Sequence, residues 1–331
     1  MMYHSMYEIL RSDGIIIEDA RPTIIMHDGD HRKLSNKGKN KNKPEQDRKV
    51  DYSKYNNPDS TMTVSKEEAK RAQIIGGALI AIIILLVAVI WGSVAFVQNK
   101  NAQKAEETKV SSQQTMEKAA KPAGYVTDDG AIQWTQDGIV KGELPDKWKN
   151  TPKVDVYMDP ICPGCGSVDR VFNPYYEQYL KNGEIVLRIH PITFLTDYSS
   201  DDYSGRAANA ILRSLDADPS KTYDYITYLM SDGIEPKEGP NYEPVSDDDL
   251  KKHAEDVGYT KAQVKDLTDQ KYNEWLRAMT DYTINRAELQ RSDGQFATPV
   301  VTFNGEKLNY DNGVKKMLEE FIQKVDAANK K

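Results

Sequence analysis

The sequence of 331 residues contains two cysteines, Cys162 and Cys165, spaced as C-x-x-C. Residues 154–158, directly before the pair, are rich in β-branched and aromatic side chains and predict a buried strand. Residues 168–180, directly after it, carry apolar side chains at helical spacing. A thiol placed where a strand ends and a helix begins faces unpaired N–H groups and the positive end of the helix dipole, and both favour the thiolate. We therefore predict that the fold is organised around a reactive pair of thiols.

The start of the helix predicts a different role for each cysteine. Pro163 suits the first helical position, because it has no N–H to leave unpaired and its φ is already helical. Cys162 is then predicted to be the exposed nucleophile, and Cys165, one turn inside the helix, the resolving thiol. A zinc site would need two more nitrogen or sulfur ligands, and this region offers only His190 and His253, in no paired spacing. We therefore predict a redox pair and no metal site, and we interpret His190 as a partly buried strand residue rather than a catalytic base.

The charge of the chain excludes one class of partner. The formal net charge is −7, and residues 150–331 hold 22 Lys and Arg against 31 Asp and Glu. Nucleic-acid binding requires a basic surface, so no nucleic-acid partner is predicted.

An uninterrupted apolar segment precedes this acidic region. Residues 74–97 contain no charged side chain in 24 positions, which as a helix is long enough to span a hydrocarbon core of about 30 Å. The segment is too long and too far along the chain for an ordinary cleavable signal, so we predict a single retained membrane anchor. Residues 31–73 hold twelve Lys and Arg and residues 98–140 hold five, which favours an N-terminus inside the cell.

The remaining organisation follows from composition and periodicity. Residues 1–73 are predicted to be a disordered cytoplasmic tail and residues 98–124 a stalk or linker. Residues 125–328 form the predicted folded domain, with helical periodicity from about 202 to 291. Within this domain we expect a hairpin in 125–148, strands at 184–192 and 300–303, an edge strand at 307–309 and a final helix over 311–325.

A second motif lies far downstream, where Thr298-Pro299 begins a short strand that ends in a turn at Asn304-Gly305. Taken in order, the strand, the Cys-Pro-Gly-Cys segment, the helix, the helix-rich insertion and this proline make the chain resemble the thioredoxin-fold oxidoreductases. More narrowly, it resembles the DsbA-like, membrane-tethered thiol-disulfide proteins of bacteria. The resemblance covers about residues 125–328.

The resemblance implies a fold class, a site and partners. The fold class is α/β, a thioredoxin fold with a helical insertion, preceded by a single transmembrane helix and a disordered tail. The activity implied is the introduction of disulfides into exported proteins outside the cytoplasm, without a bound cofactor. Its partners would be unfolded exported substrates with thiols and a membrane redox partner that reoxidises the site. The site residues that carry over are the catalytic Cys162 and Cys165, the redox-tuning Pro163 and Gly164, and the substrate-binding Thr298 and Pro299 of a cis-proline loop.

Two departures from the family leave the direction of electron flow open. Strongly oxidising DsbA proteins have a histidine where this chain has Gly164. The usual buried acid six residues before the first cysteine is Val156 here, and Asp155 and Asp159 flank it without necessarily replacing it. A reductase or isomerase of the same fold therefore remains an alternative, as does a binding module without turnover. The intact C-x-x-C favours an enzyme, because a binding module needs neither thiol.

Overall fold

A computed structural model describes residues 65–122 and 124–330 of the chain. The chain divides into two units, Met1–Ile74 and Ile75–Lys331. In the first unit only residues 65–74 are described, and they belong almost entirely to the beginning of a helix. Positions 1–64 of the predicted disordered tail therefore lie outside the described residues.

The first helix, α1 (Lys66–Lys118), contains the apolar segment. The large apolar side chains of α1 whose exposure is described between Ile75 and Val97 are 46% to 74% exposed, so the domain does not bury them. Among the described residues, one helical segment, Ile82–Lys118, is long and apolar enough to cross a membrane. The last turns of α1 have a different environment, because Ser112 and Met116 are buried and Met116 belongs to the core of the domain.

The domain is built on a mixed sheet whose central strand leads into the cysteine pair. The sheet has the order β2-β1-β4-β3-β5-β6, in which β3 is parallel to β4 and the other pairings are antiparallel. The predicted hairpin is present as β1 and β2. The strands are β1 (Ile132–Thr135), β2 (Gly138–Ile139), β3 (Lys153–Met158), β4 (Val186–Pro191), β5 (Val300–Phe303) and β6 (Glu306–Lys307).

The active-site helix α2 (Pro163–Asn182) packs on the sheet, and the final helix α7 (Val314–Asn329) packs on α2. Four helices between β4 and β5 form the expected insertion. Together, β3-α2-β4 and β5-β6-α7 make the thioredoxin fold, and the predicted fold class of a thioredoxin fold with a helical insertion is confirmed. The final helix begins three residues later than predicted, because a turn closes on Gly313 first. The helices of the domain are α2 (Pro163–Asn182), α3 (Tyr203–Ala217), α4 (Thr222–Leu229), α5 (Asp247–Asp256), α6 (Asn273–Ile284) and α7 (Val314–Asn329).

An aromatic cluster holds the active-site helix α2 against the final helix α7. Phe321 of α7 is fully buried, and its ring centroid lies 5.4 to 5.7 Å from the rings of Phe172, Tyr176 and Tyr179 on α2. Burial of aromatic side chains of this size contributes a large share of core stability. The cluster therefore anchors α2 firmly, and the thiols lie at its N-terminus.

Candidate active site

The cysteine pair lies where the sequence predicts it, between the end of β3 and the start of α2. Cys162 is the N-cap residue of α2, with extended backbone angles of φ −80° and ψ 112°, and Pro163 occupies the first turn. The carbonyl oxygen of Cys162 accepts hydrogen bonds from the N–H groups of Cys165 at 2.8 Å and Gly166 at 3.1 Å. The thiol of Cys162 is thereby placed beside the first turn of the helix, and both thiols are free.

Strand pairing brings the proline loop to the same place. β5 runs antiparallel to β3, with Val300 opposite Tyr157, so the residues before β5 lie at the end of β3 that leads to the cysteines. The Thr298–Pro299 peptide is cis. In the dithiol, Sγ of Cys162 donates to the carbonyl oxygen of Thr298 at 3.6 Å. The structure thus brings together residues that are 136 positions apart in the sequence.

The prediction that Cys162 is exposed was wrong. Its exposed fraction is 5%, close to the 3% of Cys165. The physical reason is the contact with Thr298, which covers the sulfur from the side of the proline loop.

The surroundings shift the pKa values of the two thiols in opposite directions. A hydrogen bond from the Cys165 thiol lowers the pKa of Cys162, against burial, and the N–H of Cys165 in the first helical turn acts in the same direction. Burial raises the pKa of Cys165 well above the usual thiol value, and its interaction with Cys162 adds to the effect. Cys162 is therefore the thiol that ionises first, and Cys165 is the one that keeps its proton.

Gly164 lies where a side chain has no room. A Cβ added there would be 2.9 Å from Cδ of Pro299, 3.5 Å from the hydroxyl oxygen of Tyr310 and 3.6 Å from Sγ of Cys162. A contact under 3.0 Å forces a shift, and the closed ring of Pro299 cannot rotate away from it. Packing against the proline loop therefore accounts for glycine at this position.

The acid beneath the dithiol is Asp159, which the sequence offered only as one of two flanking candidates. Its side chain is fully buried. Its carboxylate accepts hydrogen bonds from Ile161 N–H at 3.1 Å, from Leu195 N–H at 2.8 Å and from the Ser204 hydroxyl at 2.7 Å. Burial raises the pKa of Asp159 to about 6. The sequence feature that could have identified Asp159 is its position between the end of the predicted strand and the first cysteine.

Asp155, the other candidate, lies in a separate network with His190. The histidine is 1% exposed, its Nε2 lies 2.8 Å from Asp155 Oδ1, and its ring stacks on Tyr157 at 4.1 Å. Although burial opposes it, the hydrogen bond with His190 holds the pKa of Asp155 below its ordinary value. His190 is therefore a strand histidine, as predicted, but it is fully rather than partly buried, and its ring contacts partners other than the cysteines.

The same network is the one group among the described residues that could supply three metal ligands. Donor atoms of Asp129, Asp155 and His190 lie within 4.8 Å of one another. The guanidinium of Arg188, however, lies 2.6 Å from Asp129 and 2.9 Å from Asp155. Because Arg188 already supplies positive charge to both carboxylates, we interpret the cluster as an internal ion-pair network.

A loop that follows α4 is attached to the active-site helix next to the thiols. Arg170 of α2 donates to the carbonyl oxygen of Met230 at 2.5 Å and to Glu235 at 2.9 Å. The Glu235 carboxylate lies against Gly166, where a Cβ would be 2.1 Å from Oε2. The glycine after Cys165 therefore leaves room for the Glu235 carboxylate beside the active-site helix.

Comparison with known proteins agrees with this architecture. The Thioredoxin family model matches residues 147–324, which include both cysteines and the cis-proline loop. No curated protein matches the chain in sequence.

Three solved structures have a similar fold at low identity. MdbA, a thiol-disulfide oxidoreductase from Actinomyces oris, is 20% identical with a TM-score of 0.48, and the match covers 63% of this chain and 95% of that one. Oxidised DsbA of Mycobacterium tuberculosis is 21% identical with a TM-score of 0.46, covering 60% and 97%. Oxidised BdbD from Bacillus subtilis is 17% identical with a TM-score of 0.44, covering 62% and 98%. Since the family model spans more than half of the chain, the chain belongs to the thioredoxin family.

Proposed function

We propose that the protein is a membrane-anchored thiol-disulfide oxidoreductase that introduces disulfides into exported proteins through Cys162 and Cys165. The observation that carries the proposal is the position of the two thiols: Cys162 is the N-cap of α2 and contacts the cis-proline loop, and Cys165 is buried one turn inside the helix. This arrangement lowers the pKa of Cys162 and raises that of Cys165. A thiolate nucleophile beside a protonated resolving thiol is the arrangement that disulfide exchange requires.

The proposed reaction begins with the oxidised protein. A substrate thiolate attacks Sγ of Cys162, the bond between Cys162 and Cys165 breaks, and Cys165 leaves as a thiolate that takes up a proton. A second thiolate of the substrate then attacks the substrate sulfur of the mixed disulfide, and Cys162 leaves as a thiolate. The substrate loses two electrons and the dithiol gains them, so a membrane partner that accepts two electrons must restore the disulfide.

Two neighbours take roles in this proposal. Asp159, with its pKa near 6, is proposed to exchange a proton with the Cys165 thiol, because the charge of its carboxylate acts on that thiol and raises its pKa. Thr298 and Pro299 bind the substrate backbone beside Cys162, and Pro163 and Gly164 tune the thiolate through the helix start. Thr298 is suited to this role because its carbonyl oxygen already contacts the reacting sulfur.

The lowered pKa of the Cys162 thiol supports electron flow from the substrate to this protein. A more stable thiolate favours the reduced protein, and a protein that favours its reduced form oxidises its partners. We expect the pair to equilibrate with glutathione at a potential more positive than about −200 mV, and the oxidised protein to form disulfides in a reduced, unfolded secreted protein. A value near about −270 mV, with no disulfides formed, would instead favour the reductase alternative. A protein that fails to exchange with glutathione at all would favour the binding module.

We also propose that residues 74–97 cross the membrane with the N-terminus in the cytoplasm and the redox domain outside. The exposed apolar side chains of α1 support the anchor. An oxidising thiol pair belongs in a compartment where disulfides persist, which supports the orientation.

We expect protease added to cells without their wall to remove a C-terminal tag together with the domain, while a cytoplasmic control protein stays intact. Membrane-permeabilised cells provide the positive control for protease access. Digestion that shortens only the N-terminal end would show that the orientation is reversed.

A further inference from the structure

The dithiol site contains a hydroxyl group that the sequence did not single out. Tyr310 lies in the segment between β6 and α7, and its side chain is 38% exposed. Its hydroxyl oxygen and Sγ of Cys162 both lie within 3.6 Å of the point that a Cβ of Gly164 would occupy. The phenol oxygen and the nucleophilic sulfur therefore both border the space in which Gly164 has no side chain.

The backbone holds Tyr310 in this place. The N–H of Leu308 donates to Val301 of β5 at 2.9 Å, and the N–H of Asn309 donates to the Glu320 carboxylate of α7 at 3.0 Å. The N–H of Gly313 donates to the carbonyl oxygen of Tyr310 at 2.8 Å, which closes a turn. Because these bonds connect the segment to both the sheet and α7, the position of the phenol follows from the fold.

The hydroxyl is free to act as a donor. Within the described part of the chain it makes no hydrogen bond to another side chain or to the backbone. Burial first, and then the charges of Cys162 and Cys165, raise the pKa of Tyr310. The phenol therefore keeps its proton when Cys162 ionises, and a protonated phenol is a hydrogen-bond donor.

We propose that the Tyr310 hydroxyl donates a hydrogen bond to the thiolate of Cys162 and so takes the place of the side chain that position 164 lacks. Hydrogen bonds to an ionised acceptor are stronger than those between neutral groups, so the donor favours the thiolate over the thiol. The inference rests on the proposed function, in which the Cys162 thiolate is the reacting species.

The test is Tyr310→Phe in the full-length protein in detergent, which removes the hydroxyl and keeps the ring. We expect the thiolate fraction of Cys162 at neutral pH to fall about threefold to tenfold. The rate of alkylation against pH measures this fraction, and mass spectrometry of the modified peptide assigns it to Cys162. The equilibrium constant for reduction by glutathione should fall by a similar factor, because the reduced form loses a stabilising contact.

The matched control is Tyr228→Phe, which removes a tyrosine hydroxyl in α4 that donates to Asp256 at 3.1 Å. This variant should match the wild type in both measurements. A Tyr310→Phe protein that titrates and equilibrates like the wild type would overturn the inference. Alkylation reports the thiolate even in a protein that exchanges no disulfides, so failure of the inference and failure of the proposed function can be distinguished.

Discussion

Replacing Cys165 by alanine is expected to turn the protein into a trap for its substrates. Cys162 can still form a mixed disulfide, but no resolving thiol remains to displace the substrate. Replacing Cys162 by alanine is expected to abolish trapping and to lower exchange activity by more than about 10³-fold. The reason is that the pKa of Cys162 is lowered and the pKa of Cys165 is raised, so Cys162 is the nucleophile.

The measurement is the yield of mixed disulfides on non-reducing gels after incubation with a reduced, unfolded secreted protein. The Cys165→Ala variant should remain folded, because the loss of one buried sulfur costs about 1 kcal/mol. The variant lacking both cysteines is the control for adducts formed without the site. Equal trapping by the two single variants would contradict the assigned roles.

The second large effect is expected from Asp159→Asn and concerns stability against pH. A carboxyl group with a pKa raised from 3.8 to about 6 in the folded protein binds its proton more tightly there than in the unfolded chain. The native state therefore holds more protons between these two values, and the free energy of unfolding falls as the pH rises through this window. A pKa shift of about two units corresponds to a change of about 3 kcal/mol in the free energy of unfolding.

Asparagine keeps the shape of the side chain but carries no charge at any pH. Its single amide oxygen can accept from only one of the two backbone N–H groups, because Ile161 and Leu195 donate to different oxygens of Asp159, and the lost bond lowers stability by a similar amount at every pH. As the pH rises from 4 to 7, we therefore expect the free energy of unfolding of the variant to increase by about 3 kcal/mol relative to that of the wild type. The removed negative charge should also lower the pKa of Cys162, which the Asp159 carboxylate raises.

Urea unfolding of both proteins in mild detergent, followed by tryptophan fluorescence at several pH values, measures this difference. Asp146→Asn is a suitable control, because that carboxylate is exposed and, among the described residues, pairs only with Lys149. A constant difference between Asp159→Asn and the wild type from pH 4 to pH 7 would be evidence against a raised pKa of Asp159.

Much of the fold could be predicted because its signals are local. The strand before Cys162, the proline after it and the helical periodicity beyond it lie within about thirty residues. Helical periodicity predicted the insertion, and turn residues between short apolar segments predicted the hairpin of β1 and β2. The boundaries were less certain where a turn replaced the first helical residues, as it did before Val314.

The site was harder to predict, because burial depends on distant segments. Whether Asp155 or Asp159 lies beneath the thiols depended on Leu195 and Ser204, which follow Asp159 by 36 and 45 residues. That Cys162 is covered depended on Thr298, 136 residues away. None of these contacts leaves a periodic or compositional pattern in the sequence.

By itself the sequence determined which sulfur begins the helix and which lies one turn inside it, because a proline φ angle and a helix dipole act over a few residues. Only the tertiary structure decided which acid, which carbonyl oxygen and which phenol surround those sulfurs. Strand pairing and helix packing bring these groups in from separate parts of the chain, and the pKa of a thiol responds to whatever charge and hydrogen-bond donors arrive beside it.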